Sequence, residues 1–184
     1  MEILLLLLEL SLFIISAGII FIILIQVVAA FNTNAPFVPI PNGIEDEIIN
    51  SLDLKEDSNI YDLGCGDARV LIKAVQRQPH IKAVGVEKAF LPYFLAKFFT
   101  RKYKNIEIKR EDFFKTDIHE ASHIFLYLYP KVINKLINNI TKQCKTGTVI
   151  VSCDFELANI TPAKMIDLKN NNSQRGKKLL VYII

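Results

Sequence analysis

What this 184-residue chain lacks narrows its class before any motif is read. It lacks a strong excess of either charge. Its 22 basic residues face 19 acidic ones, a net of +3, which is too slight for the dense basic stripe of a duplex binder, so no nucleic-acid partner is expected. The local cluster Arg175, Lys177 and Lys178 follows an Asn-rich stretch and reads as a solvated loop. It has few cysteines. Cys65, Cys144 and Cys153 are odd in number and show no C-x-x-C spacing, which fits free thiols in a reduced compartment better than a disulfide framework. There is no G-x-x-x-x-G-K-[ST], so a P-loop is excluded. The glycine turn that is present is not a dinucleotide fingerprint either: counting from Gly64 gives Gly66 and then Arg69, a long cation where the third glycine should let helix and strand approach.

One absence is informative in itself. Residues 10–31 contain no charge, and only Ser11, Ser16, Gly18 and Gln26 interrupt the apolar run. As a helix these 22 residues reach about 33 Å, against a hydrocarbon core of roughly 30 Å. Val28-Ala29-Ala30 would pass as a signal-peptidase site. However, the run is longer than a signal core, and Glu2 and Glu9 precede it with no Lys or Arg. The reading is a transmembrane helix within residues 1–31, uncleaved and single-pass. The first basic residue after it is Lys55, too distant to set orientation by the positive-inside rule.

Residues 32–43 form a proline-rich linker, "NTNAPFVPIP" and two further residues, whose X-Pro pairs stop the helix. From residue 44 to 184 the pattern alternates. Ile44, Ile48, Ile49 and Leu52 fall at helical spacing. "NIYDLG" and "IKAVGVEK" read as strands, with a helix over residues 68–78 between them. Residues 89–103 are helical and aromatic, "NIEIKRED" and "HIFLYLYP" are strands, and residues 130–144 are a helix. "TVIVSCDF" is a fifth strand, and "AKMIDLKN" with "KKLLVYII" make a closing pair. The alternation predicts an α/β doubly wound, mainly parallel sheet of about seven strands with an antiparallel C-terminal hairpin. A ligand would sit outside the carboxyl ends of its central strands. The residues at those ends are Gly64 to Ala68, Glu87, Asp112 and Tyr127 to Pro130.

The turn itself reads acid-x-Gly-x-Gly-Asp-small: Asp62, Gly64, Gly66, Asp67, Ala68. An acid at this point repels a pyrophosphate and suits a ligand carrying a cationic amine near a ribose. "YDLGCGDARVLI" resembles the first motif of class I, Rossmann-like S-adenosylmethionine-dependent methyltransferases. Glu87 follows Asp62 by 25 residues and Asp112 follows by a further 25, which agrees with that family. The resemblance implies S-adenosyl-L-methionine as cofactor. It places Asp62 and Gly64 at the methionine end with Asp67 close by, Glu87 on the ribose hydroxyls, Asp112 on the adenine amino group and Phe113 along the adenine. Cys65 within the turn and Lys88 beside Glu87 complete the expected cofactor set. Ala68 replaces the family's usual third glycine.

The apolar N-terminus, "FVPIP", the turn, "IFLYLYPKVINKL" and "GTVIVSCDFEL" together are similar to the membrane-associated ATP synthase c-subunit lysine N-methyltransferases and their small bacterial relatives, over about residues 36–168. The fourth strand ends in "YLYP" rather than the Asn-Pro-Pro-Tyr of many amide and base N-methyltransferases. The resemblance implies a membrane-anchored protein-lysine N-methyltransferase, its catalytic domain facing the cytoplasm and its protein substrate in or near the membrane. A small or lipid-like acceptor, or a tethered domain that binds without turnover, are the alternatives. Tyr127 and Tyr129 would wall the acceptor site and Asp154 would orient the amine; the plain alternatives are that the tyrosines pack and Asp154 caps a turn. No metal is required. His119-Glu120-Ala121-Ser122-His123 matches H-E-x-x-H, but that pattern binds zinc only on a helix. Here a strand follows at once, so the two histidines read as a surface loop. The aromatic helix "FLPYFLAKFF" reads as a sheet-covering helix, or else as one whose outer face meets lipid or a membrane substrate. Pro92 fits only its first turn.

Overall fold

The computed structural model describes residues 2–31, 38–168 and 174–184. Most of the predicted linker (32–37) and the Asn-rich loop (169–173) lie outside the described residues. The chain divides into two compact units, Met1–Pro36 and Phe37–Ile184. The first is one helix, α1 (Glu2–Phe31). Its stretch Ile3–Ile25 is long and apolar enough to cross a membrane, and none of it is buried against protein. Such a helix, apolar on every side, has no polar face to give to water.

The second unit is a seven-stranded sheet: β1 (Asn59–Leu63), β2 (Lys82–Val86), β3 (Ile106–Lys109), β4 (His123–Leu126), β5 (Val149–Cys153), β6 (Lys164–Asp167) and β7 (Lys178–Ile183), in the order β3-β2-β1-β4-β5-β7-β6. The first five strands of that order run parallel. β7 is antiparallel to both β5 and β6, so the closing pair is the predicted hairpin. Asp62 is in register with Gly85 on one side and Phe125 on the other. The order reverses at β1, whose neighbours β2 and β4 are reached by crossovers in opposite directions. That reversal opens a crevice at the carboxyl ends of β1 and β4.

Four helices cover the sheet: α2 (Glu45–Leu52), α3 (Arg69–Arg77), α4 (Phe90–Thr100) and α5 (Pro130–Gln143). α3 buries Val70, Leu71, Ala74 and Val75, positions three and four apart that form one face. α2 lays Ile48, Ile49 and Leu52 beside it, and Ile40, from the end of the predicted linker, joins the same core. A side chain such as Leu71, fully buried, contributes about 1.5–3 kcal/mol over leaving it in water. Right-handed crossovers put α3 and α4 on one face of the sheet and α5 on the other.

Three local readings need correction. β4 ends at Leu126, not at the proline: Tyr129 is the extended N-cap of α5 with Pro130 at its first position, and proline holds the preceding residue out of the helical region. His123 is not in a surface loop. It opens β4, is buried, and its Nδ1 lies 2.8 Å from the Ser122 hydroxyl, while burial holds its pKa below the usual value. α4 is not buried by the sheet. Only Pro92, Ala96 and Thr100 are enclosed, because the helix lies against β3, the edge strand, which offers little surface to cover it.

Candidate active site

The turn after β1 is built by three residues in the left-handed region: Gly64 at φ +90°, Gly66 at +57° and Ala68 at +64°. The first two are glycines because a side chain resists that conformation. Ala68 adopts it, fully buried, as the N-cap of α3. A Cβ on Gly64 would stand 3.1 Å from Leu128 Cδ2, so the segment after β4 lies directly against the turn. The N–H groups of Gly64 and Cys65 both donate to Val86 O, at 2.8 and 3.1 Å.

Glu87 ties the turn to the next helix. Its Oε2 accepts from Gly66 N at 3.1 Å and its Oε1 from Ala89 N at 2.7 Å. Burial raises its pKa, and those backbone donors offset part of the rise. A carboxylate offers about four acceptor sites, so Glu87 keeps capacity for a ligand beside its backbone donors. Cys65 lies within the turn. Its thiol packs over Gly85, where a Cβ would come within 2.7 Å of its Sγ, 2.8 Å of Ile108 Cδ1 and 2.9 Å of Leu71 Cδ1. Burial, with the Asp62 and Glu87 carboxylates, pushes that thiol well up. Gly85 is the structural residue that sequence reasoning passed over; its signal was a glycine inside an apolar strand.

Asp62 is 4% exposed, and among the described residues its carboxyl makes no hydrogen bond; its oxygens still touch the crevice, whereas the one sealed side-chain atom without a partner among those residues is Asn59 Oδ1. Burial, then the Glu87 and Asp67 carboxylates, push its pKa well above the ordinary range. Asp67 is held instead by Arg69, whose Nη2 and Nε lie 2.7 and 3.1 Å from its Oδ2. The same guanidinium reaches Asn42 Oδ1 at 2.9 Å and Ile40 O at 3.4 Å. Residues 39–42, Arg69, Gln174 and Arg175 thereby frame an open hollow of about 440 Å³ beside the turn. Beyond β3, Asp112 Oδ2 pairs with Lys88 Nζ at 3.0 Å and its Oδ1 accepts from Phe114 N at 3.1 Å. Burial raises the Asp112 pKa, but the Lys88 ammonium and the Phe114 N–H outweigh it and leave a net lowering. Phe113 is buried, its ring 4.8 Å from that of Phe114.

Tyr127 and Tyr129 lie just past β4. Tyr127 is half-buried, and burial followed by the Cys153 and Asp154 groups pushes its phenol up to about 12. Tyr129 is exposed and faces Phe155 at 6.2 Å. Asp154, at φ +66°, gives its carboxylate to the loop entering β7, accepting from Gly176 N at 2.6 Å, Lys177 N at 2.6 Å and Lys178 N at 3.3 Å. The expected amine-orienting acid is thus occupied as a loop clamp. His119 lies in a turn beside Asp117, and His123 stands in a strand, so the shared helical face that H-E-x-x-H requires is missing.

This cradle fits S-adenosylmethionine. A buried carboxyl without a partner, in a group with Glu87 and Asp67, calls for a cation, and the cofactor carries an ammonium and a sulfonium. The left-handed glycines leave room for close backbone approach.

The comparisons agree. Residues 62–164 match the family model described as the ANTKMT methyltransferase domain. The chain is 30% identical over 157 residues to a protein-lysine N-methyltransferase of Saccharolobus islandicus (strain REY15A), covering 80% of this chain and 94% of that protein. An RNA methyltransferase from Salinibacter ruber, solved in complex with S-adenosyl-L-homocysteine, superposes with a TM-score of 0.73 at 30% identity, covering 80% of this chain and 94% of that one. A precorrin-6y C5,15-methyltransferase from Geobacter metallireducens GS-15 shares the fold at 15% identity and a TM-score of 0.57, over 75% and 85% of the two chains. The chain therefore belongs to the ANTKMT methyltransferase domain family: it is an enzyme of class I architecture that takes its methyl group from S-adenosylmethionine.

Proposed function

We propose that this enzyme is a protein-lysine N-methyltransferase anchored at a membrane by α1, with its catalytic unit on the cytoplasmic side. The observation that carries the reading is the close approach of Leu128 to the Gly64 backbone, where an added Cβ would stand 3.1 Å from Leu128 Cδ2; it supports an acceptor site at the flanking Tyr127 and Tyr129. The name of the Saccharolobus relative supports the acceptor. The apolar stretch Ile3–Ile25 supports the anchor.

S-adenosylmethionine, when bound, supplies an activated methyl group on a sulfonium. In this reading Asp62 holds the cofactor's cationic end, Glu87 and the Gly64–Gly66 backbone fix its middle, and Asp112 with Phe113 takes the base. Lys88, now paired with Asp112, rims that end, Cys65 shapes the turn from beneath, and Asp67 acts through Arg69 to hold residues 40–42 in place. The remaining work concerns the acceptor amine. A lysine is neutral in fewer than about one molecule in a thousand at neutral pH, a cost of about 4–5 kcal/mol. Tyr127, Tyr129 and Phe155 make a wall that disfavours the ammonium by excluding water. Tyr127, with its raised pKa, stays protonated and can accept a hydrogen bond from the amine without competing as a base.

The test is incubation of the full chain with membranes and methyl-labelled cofactor, followed by mass spectrometry of the labelled proteins. Methyl-lysine that Tyr129→Ala reduces and Glu87→Ala abolishes is the expected result. Label confined to RNA would move the acceptor to the class named for the Salinibacter enzyme. Label confined to lipid would move it to a small apolar acceptor.

A further inference from the structure

α4 presents an arrangement that catalysis does not use. Its seam to the sheet is three small residues one turn apart, Pro92, Ala96 and Thr100. The opposite pole, by helical spacing, carries Phe90, Phe94, Phe98 and Leu91, with Leu95 and Phe99 on the shoulder. All six are exposed, Phe98 at 58%. The rings organise one another: Phe90 and Phe94 stand 4.6 Å apart and Phe98 and Phe99 5.7 Å. A contiguous apolar patch of this kind on a folded domain marks a contact surface.

The charge around the patch identifies what it contacts. Residues 88–110 hold seven basic residues and one acidic, a net of +6 in a chain whose total is +3, which leaves −3 for everything else. Lys97 falls on one flank of the apolar pole and Arg101 and Lys102 follow directly after the helix; all three are exposed, as are Lys104 and Arg110. The Arg101 guanidinium lies 4.0 Å from the Phe98 ring centroid and that of Arg110 5.1 Å from Phe90. Phenylalanine and leucine at the pole with cations along the flanks is the composition of a helix lying in a membrane interface, its rings among the acyl-chain boundary and its cations at the phosphates. We propose that the outer face of α4 docks on an anionic lipid leaflet as a second membrane contact, independent of α1. A second copy of the chain fits less well, because pairing this face with itself sets Lys97, Arg101 and Arg110 against their own kind. Nucleic acid fits less well, because Leu91 and Leu95 offer a base neither a stacking plane nor a hydrogen bond, whereas acyl chains require neither. The inference does not depend on which acceptor is methylated.

The test uses the full chain reconstituted into vesicles, with a polarity-sensitive fluorophore on Phe98→Cys in a Cys144→Ser background; Cys65 and Cys153 are buried. A reference label goes on Lys135→Cys, exposed on α5 across the sheet. Flotation is measured on the same samples, and circular dichroism checks folding. In phosphatidylcholine vesicles containing phosphatidylglycerol and brominated acyl chains, the residue-98 label should shift to the blue and be quenched, and the residue-135 label should not. Removing phosphatidylglycerol, or adding Lys97→Glu with Arg101→Glu, should relieve most of that quenching while flotation persists. A chain that floats with an unquenched residue-98 label overturns this proposal and leaves the α1 anchor standing; a chain that does not float overturns both. Energy transfer between residue-98 labels on two copies, or displacement of the label from vesicles by single-stranded RNA, also overturns it.

Discussion

α3 and α4 lie on the same face of the same sheet, each preceded by a candidate site acid, Asp62 in β1 and Glu87 just past β2, yet they are opposite in what they bury. α3 contains Arg69, Lys73, Gln76 and Arg77 among nine residues and still encloses Val70, Leu71, Ala74 and Val75. α4 has one charge, Lys97, among eleven, and encloses only Pro92, Ala96 and Thr100. Position in the sheet makes the difference. α3 sits over the central strands with α2 beside it, and its apolar residues share one stripe. α4 sits over the edge, and its large residues surround the helix, so most find no partner. Apolar content thus says how much a helix would gain by leaving water, and topology says whether the protein itself supplies the place.

The strongest test of that contrast is a matched pair of truncations. Leu71→Ala on α3 should cost about 2–5 kcal/mol in a denaturant titration, because it leaves a cavity in a close-packed core. Phe98→Ala on α4 removes a larger side chain and should change stability by about 0.5 kcal/mol or less in detergent; a loss near that of Leu71→Ala would show that α4 is covered after all. Next in size is Gly85→Ala. The added methyl would collide with Cys65 Sγ, Ile108 Cδ1 and Leu71 Cδ1, costing about 1–3 kcal/mol by overpacking. Because Cys65 belongs to the turn, cofactor affinity should fall with it, measurable by calorimetry.

A smaller and more diagnostic effect is expected at Asp62. Asp62→Asn should weaken cofactor binding by tenfold or more, about 1.4 kcal/mol, while the free domain keeps or gains stability, since a partnerless buried acid is removed. The pH dependence has a definite sign. The folded pKa lies above the ordinary carboxylate value, so the free fold binds the extra proton. This group's contribution to stability is therefore present at low pH and declines as pH rises from the ordinary carboxylate range through the raised value. A cationic ligand favours the ionised form, so affinity should rise over that same window and Asp62→Asn should flatten the profile. The smallest effect is at Cys144, half-exposed with its thiol pushed up to about 11: Cys144→Ser should leave affinity and stability unchanged within error.

Much of the chemistry was legible because it depends on residues close together in sequence. The glycine turn is local, and the alternation of strands and helices is written in apolar spacing; Glu87 and Asp112 follow once the strand ends are located. What was not legible depends on contacts between distant segments. Asp154 becomes a clamp only because Gly176 to Lys178 arrive opposite it at the entry to the antiparallel strand β7. Arg69 looked like a fault in a fingerprint and proves to join the turn to residues 40–42. His123 looked like a loop histidine because the motif containing it drew attention to the preceding residues, whereas the strand register pairs it with Ile60 and Val149. The exposure of α4 could not be read from its composition, which suits a core helix equally well.

The account rests on the cofactor cradle, and one measurement tests it most directly: calorimetric titration of the full chain in detergent with S-adenosylmethionine, in two buffers of different ionisation enthalpy, beside Glu87→Ala. Saturable binding that the variant loses is the expected result, with proton release only where the pH leaves the free Asp62 carboxyl protonated. A folded chain that binds no cofactor, or binds it equally well without Glu87, would contradict it.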